Sequence, residues 1–338
     1  MALRKLWLAT VLASSCASPP SPSAPQPNEE ETKATTPAIG PGTLHRHRTL
    51  SYGGTERTYH FHEAPRSLGP RPLVLVLHGG FAKIDPFIGR GTGAAPLARP
   101  WLKIAAREGL HVVIPQATNP GRGPHWNDCR ADCSHCGDQD DVGFLAALVA
   151  ELSRTYEVDP DRVYVAGESN GGFMTLRLAQ ERAETFAAFG VVSALMPADS
   201  KCGAPTRPAS VAFVVGTKDE AVRYEGGPAS LAASGSVRSA RESVAAWTSV
   251  GRCAPPSSRA LADLDPSDGS RVTIREHPCP ATGHDVVEYR IDGAGHVVPS
   301  IDERVSRAWE RIVGRQKHDL ETAEALWAFF GAHPLRRP

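Results

Sequence analysis

Gly167-Glu168-Ser169-Asn170-Gly171 sets a serine between two glycines in the pattern G-x-S-x-G. A serine hydroxyl is a weak nucleophile, and it attacks a carbonyl only when a neighbouring base takes its proton. A sharp strand-to-helix turn presents such a serine, and glycines flank it because side chains there would clash. With this much glycine the bare pattern arises by chance in roughly one chain in five, so its flanks must decide. Arg162-Val163-Tyr164-Val165-Ala166 before it reads as a buried strand, and residues 172–180 after it read as a helix. Ser169 is the candidate nucleophile.

The chain has 13 histidines that could serve as the base. In enzymes carrying this motif the acid follows the serine and the histidine comes last. Among His277, His284, His296, His318 and His333, only His296 sits in a glycine-bearing loop, Asp292-Gly293-Ala294-Gly295-His296, directly after an apolar strand. The acid belongs at a strand end between the two. The run 211–215 followed by Gly216-Thr217-Lys218-Asp219 supplies Asp219, with Glu220 as the near alternative and Asp263, Asp265 and Asp268 in loop-like sequence further on. A carboxylate there fixes the imidazole tautomer and stabilises its charged form. Two backbone N–H groups must meet the developing oxyanion. Asn170 is the candidate for one, and Gly80 in Leu77-His78-Gly79-Gly80-Phe81 for the other. Phe81, Trp126, Glu168 and Val297 are candidates for the substrate pocket, with a buried anchor as the equal alternative for Trp126.

These residues need a sheet to bring them together. Segments 57–62, 73–77, 110–115, 162–166, 186–193, 211–215, 272–276 and 286–291 read as strands. Segments 98–108, 172–180, 236–250 and 322–330 read as helices, and Asp140 or Asp141 caps another with Val142, Leu145, Val149, Leu152 and Tyr156 on one stripe. Asp159-Pro160-Asp161 reads as a turn and 119–139 as a long loop. Strands alternating with helices imply an α/β fold, a mostly parallel central sheet with helices on both faces, which binds ligands beyond the carboxyl ends of its strands.

The 338 residues are 41% hydrophobic and 22% charged, enough apolar content for a packed core. Lys plus Arg equal Asp plus Glu at 37 each, so the basic footprint of a nucleic-acid binder is missing. No apolar run reaches the roughly 18 residues that span a bilayer. Arg4 and Lys5, an apolar stretch at 6–13 and small residues around Cys16 resemble an export signal, residues 1–16, with Cys16 as a lipidation candidate. Simple cleavage near Ala17 is the alternative. Residues 17–43, rich in Pro, Ser, Ala, Thr and Glu, are expected to form a disordered tether to a catalytic domain at 44–338. The expected place is outside the cytoplasm: extracellular, periplasmic or membrane-anchored. Without Cys16, six of the seven cysteines remain: Cys129, Cys133, Cys136, Cys202, Cys253 and Cys279. In an exported chain six thiols favour three disulfides, with fifteen possible pairings. The rival, a zinc knuckle at Cys129, Cys133 and Cys136 with His125 or His135, lacks a second CxxC pair. No metal and no organic cofactor is expected.

With those residues in place, the chain resembles the polyhydroxybutyrate-depolymerase-like esterases, relatives of feruloyl and acetylxylan esterases. The likeness covers roughly residues 57–330. It rests on Leu77-His78-Gly79-Gly80, His125-Trp126-Asn127-Asp128, Asp140-Asp141-Val142-Gly143-Phe144, the stretch 163–172 around Ser169, Gly216-Thr217-Lys218-Asp219, the stretch 247–253, Gly295-His296 and 325–330. The resemblance implies an α/β-hydrolase fold, a Ser169–His296–Asp219 triad and a Cys253–Cys279 disulfide. It implies hydrolysis of carboxylic esters, small or polymeric, through an acyl-enzyme. Val297 and Val298 stand where many members carry an aromatic, which weakens any transfer of feruloyl or polyester specificity. A peptidase or amidase with the same triad, and a non-catalytic surface binding module, are the alternatives.

Overall fold

A computed structural model describes residues 42–66, 69–89, 97–230 and 234–335. Cys16, the leader and all but the end of the expected tether lie outside the described residues. Twelve strands are seen among them: β1 (Thr43–Tyr52), β2 (Thr55–Glu63), β3 (Arg71–Leu77), β4 (His111–Pro115), β5 (Val158–Glu168), β6 (Ala188–Val192), β7 (Ser210–Gly216), β8 (Gly227–Pro228), β9 (Ser236–Val237), β10 (Ser257–Ala260), β11 (Arg271–His277) and β12 (Val286–Asp292). The helices are α1 (Ile84–Ile88), α2 (Ala98–Glu108), α3 (Asp141–Thr155), α4 (Asn170–Glu181), α5 (Ala240–Gly251), α6 (Arg307–Val313) and α7 (Thr322–Ala332).

Ten strands form one sheet in the order β1-β2-β4-β3-β5-β6-β7-β12-β11-β10. The six from β4 to β12 run parallel, and the flanking strands pair antiparallel. Successive side chains of a strand point to opposite faces, and a sheet covered on both sides must be apolar at every position. Along β3, Leu73, Leu75 and Leu77 enter one core with Leu145, Phe173 and Trp247 from α3, α4 and α5. Val74 and Val76 enter the other, with Phe87, Trp101 and Phe330 from α1, α2 and α7. The α/β-hydrolase architecture is present, with β3, β5, β7 and β12 ending on the same edge.

Two local expectations need correction. Asp159-Pro160-Asp161 does not leave the sheet: β5 runs through it, and a register shift against β3 between Arg71 and Leu73 absorbs the proline. The helix expected at 236–250 starts later, because Ser236 and Val237 pair with β8 and the capping box of Ser239 with Glu242 begins α5 at Ala240. The first strand among the described residues begins at Thr43, the last residue of the expected tether. Among the described residues no helix is long and apolar enough to cross a membrane.

Candidate active site

β5 ends at Glu168 and α4 begins at Asn170, so the chain turns at Ser169 alone. Ser169 has φ 52° and ψ −119°, strained backbone for a residue with a side chain. Its surroundings hold it there. Its N–H donates to the Val192 carbonyl and its own carbonyl accepts from Phe173 N–H, both at 2.9 Å. A Cβ on Gly167 would lie 2.2 Å from the Gly171 oxygen, and one on Gly171 2.3 Å from the Leu77 oxygen. Both glycines are therefore steric requirements of the turn.

The loops after β7 and β12 meet because their strands are parallel neighbours. Lys218 N–H donates to Ala294 O at 2.9 Å and Gly293 N–H to Thr217 Oγ1 at 3.0 Å. That join sets His296 between two partners, with Nδ1 2.8 Å from Asp219 Oδ2 and Nε2 2.9 Å from Ser169 Oγ. With Nδ1–H donating to the carboxylate, Nε2 is left to accept the serine proton. The other Asp219 oxygen accepts from Ala221 N–H at 2.9 Å and Val222 N–H at 2.7 Å, which fixes the carboxylate. Burial alone would lower the His296 pKa. The Asp219 charge and hydrogen bond, with Glu168 nearby, outweigh it and hold the imidazole above its ordinary value.

His78 is wholly buried and neutral, its pKa pushed down to about 4 by burial. Its Nε2 accepts from Ala117 N–H at 3.1 Å, and Nδ1 lies 2.7 Å from Gly79 O. A trans peptide points its C=O and N–H in opposite directions, so anchoring the Gly79 oxygen also aims the Gly80 N–H. Among the described residues no protein acceptor takes the N–H of Gly80 or of Asn170. Gly79 lies against the Glu168 carboxyl, a Cβ built on it falling 3.6 Å from Glu168 Oε1.

The 119–139 loop packs onto this assembly through polar groups. Asn170 Oδ1 accepts from Trp126 N–H at 2.7 Å, and its Nδ2 donates to Trp126 O at 3.1 Å and Asp128 Oδ2 at 2.8 Å. Asp128 and Arg130 form an ion pair at 2.7 Å with both side chains fully buried. The guanidinium lies 4.1 Å from the centre of the Phe173 ring on α4. Asp141 ties the loop's other end, accepting from Asn127 N–H at 2.8 Å and pairing with Arg57 at 2.7 Å. His78, Asp128 and Arg130 had no place among the sequence-derived site residues. Asp128 lay in a noted motif, but no spacing rule pairs it with Arg130 or Asn170.

The structure brings Ser169, Asp219 and His296 together, with Glu168 and Asn170 flanking the serine and Gly79, the neighbour of Gly80, close enough that a Cβ on it would lie 3.5 Å from Ser169 Cβ. Phe81 is 40% exposed, with its ring 5.4 Å from His125 and 5.6 Å from His135. Of the two readings of Trp126, burial supports the anchor: it is wholly buried and its indole N–H donates to His78 O at 3.0 Å, so it props the loop. Val297 is nearly buried. The six cysteines pair as Cys129–Cys202, Cys133–Cys136 and Cys253–Cys279. His125 lies close to Cys133 and Cys136, but those sulfurs are bonded to each other, so the trio has no thiolate for a zinc knuckle.

Residues 101–200, which contain the Ser169 turn, match the family model described as prolyl oligopeptidase family. A Nocardia uniformis subsp. tsuyamanensis protein named as an esterase, NocK, is 30% identical over 298 residues, 83% of this chain and 81% of its own length. The poly(3-hydroxybutyrate) depolymerase of Ralstonia pickettii is 30% identical over 195 residues, 55% of this chain and 36% of its own. Among solved structures, an acetyl xylan esterase from Aspergillus awamori superposes with a TM-score of 0.54 at 15% identity, over 86% of this chain and all of that one, a likeness of fold. With near full-length kinship to NocK and an α/β-hydrolase sheet, the chain belongs to the esterase family of α/β-hydrolases and is a carboxylic ester hydrolase.

Proposed function

We propose that Ser169 is the nucleophile of this hydrolysis, His296 its base and Asp219 the carboxylate that orients and charges the imidazole. His296 Nε2 takes the hydroxyl proton as Ser169 Oγ attacks the ester carbonyl. The N–H groups of Gly80 and Asn170 receive the oxyanion, and the alcohol leaves with the proton from His296. Water, activated by the same imidazole, then releases the acid from the acyl-enzyme. The reading rests on one observation above the rest: the unbroken contact from Ser169 Oγ to His296 at 2.9 Å and on to Asp219 at 2.8 Å. Ser169→Ala is expected to lower turnover of p-nitrophenyl acetate by about 10⁴–10⁶-fold. Near-normal turnover by a clean preparation of that variant rejects the assignment.

Within ester hydrolysis, short acyl, hydroxyalkanoate or polysaccharide-linked esters are the proposed substrates, supported by the names of the Ralstonia pickettii and Aspergillus awamori relatives. Activity across short acyl esters, feruloyl esters, acetylated xylan and hydroxybutyrate oligomers separates these classes. Export, with a lipid on Cys16 and a Pro/Ser-rich tether before one catalytic domain, is proposed from residues 1–43. Loss of membrane association in Cys16→Ala, with activity retained in the soluble fraction, tests the anchor.

The match of residues 101–200 to the prolyl oligopeptidase family favours one second reading, an amide substrate. Ester and amide cleavage pass through the same tetrahedral oxyanion. Rates on an ester and an anilide of the same acyl group decide between them, and the ester is expected to be the faster.

A further inference from the structure

The mechanism above leaves one ionisable side chain at its centre without a task. Glu168 ends β5 immediately before Ser169 and is partly exposed. A side-chain carbon built on Gly79 would lie 3.5 Å from Ser169 Cβ and 3.6 Å from Glu168 Oε1. The carboxyl therefore borders the same small volume as the proposed nucleophile, on the side where the proposed oxyanion loop runs. Among the described residues no lysine or arginine pairs with it.

We propose that Glu168 sets the charge class of ester the site accepts, its carboxylate disfavouring esters with an anionic group near the scissile bond and favouring cationic ones. The proposal rests on the reading of Ser169 and His296 given above. An ester carbonyl attacked by Ser169 Oγ must come within a few ångströms of that carboxyl, and a charge on the acyl chain lands within reach of it. Two unit charges about 7 Å apart, in surroundings between protein and water, change a rate ratio by roughly 3- to 50-fold.

The groups facing Glu168 make the effect depend on pH. His296, from the loop after β12, is the charged group that acts on it, with Asp219 bound behind that imidazole. His78, at the end of β3, is neutral. Burial pushes the Glu168 pKa up to about 7, against the pull of His296 and of the Gly79 N–H. A raised carboxyl pKa means a neutral group below it and an anion above, so discrimination is absent in acid and complete in mild alkali. Protonation of His296 silences the enzyme toward every ester alike. It therefore cancels when two esters are compared at one pH.

The test uses the full chain and three p-nitrophenyl esters of matched length, ending in a methyl, a carboxylate and a quaternary ammonium group. The readout is each kcat/KM ratio between pH 5.5 and 8.5. The neutral-to-anionic ratio is expected to rise about tenfold across that range, and the cationic-to-neutral ratio to rise with it. In Glu168→Gln both ratios should be flat. Ratios that do not move with pH in the unaltered enzyme, or that move equally in Glu168→Gln, overturn the proposal. The unaltered enzyme's pH series stands alone if the variant does not fold. Failure of the underlying reading shows separately, as activity surviving in Ser169→Ala.

Discussion

Two regions build this site by different means. On the sheet edge, the ends of β5, β7 and β12 carry Ser169, Asp219 and the loop bearing His296, and strand pairing with the backbone bonds between the two loops brings them within hydrogen-bond reach. The 119–139 loop opposite has almost no ladder, only an isolated bridge of Arg130 with Ser200. It is held by a buried ion pair, by Asn170, by Asp141 and by two disulfides. Backbone geometry positions atoms on the sheet edge. In the loop, buried charge does it, and a buried charge costs several kcal/mol unless fully partnered. Damage to the first region should therefore show in chemistry, and damage to the second in stability.

The largest expected effect is on the sheet edge. Asp219→Asn keeps the side chain's size but removes the charge that fixes the imidazole. Turnover is expected to fall about 10³–10⁴-fold, about 4–5.5 kcal/mol of transition-state stabilisation, with the urea midpoint little changed. The pH profile carries the sign. Because His296 is held above its ordinary pKa, activity is lost as pH falls through that raised value. Without the carboxylate the acid limb of kcat/KM should move to lower pH. A limb that stays in place means Asp219 does not act on the imidazole.

Next comes the loop's ion pair. Arg130→Leu leaves Asp128 buried with Asn170 as its remaining side-chain donor, and unfolding free energy is expected to drop by about 3–5 kcal/mol. Asn170→Ala should cost about 2–3 kcal/mol by orphaning the Trp126 N–H and carbonyl. An alanine keeps the backbone N–H at position 170, so turnover of a short ester is expected to fall less than about tenfold. A fall as deep as that of Asp219→Asn would show the two regions to be coupled, and the contrast between them would fail.

The same contrast explains what could be read before any coordinates. Residues 73–77 and 163–166 are unbroken apolar runs because both faces of those strands are covered, and the glycines at 167 and 171 are forced by backbone clashes. The order serine, acid, histidine follows the order of β5, β7 and β12 along a sheet whose parallel strands all end on one edge. β1 escaped notice because no residue along it is fully buried, so its pattern carries no apolar period. The start of α5 is written in Ser239 and Glu242, whose capping box begins the helix at Ala240 and not at Ser236. The loop's architecture was not legible. An aspartate and an arginine on either side of a cysteine look like surface residues until tertiary packing buries them together. Trp126 likewise reads the same whether it lines a pocket or props a loop.

The smallest effect should come from the loop's inner disulfide. A cross-link stabilises mainly by restricting the unfolded chain, and its effect grows with the logarithm of the loop it closes. Cys129–Cys202 joins residues 73 apart and Cys133–Cys136 residues 3 apart, which on that scaling are worth about 4 and about 2 kcal/mol. Replacing Cys133 and Cys136 together by serine should therefore lower the urea midpoint about half as far as replacing Cys129 and Cys202, with turnover of a short ester intact. The Asp128–Arg130 pair, Asn170 and Asp141 would still hold the loop's backbone on the elbow. A loss of turnover without a loss of stability would reverse that order, making the inner disulfide a part of the site rather than a fastening of the loop.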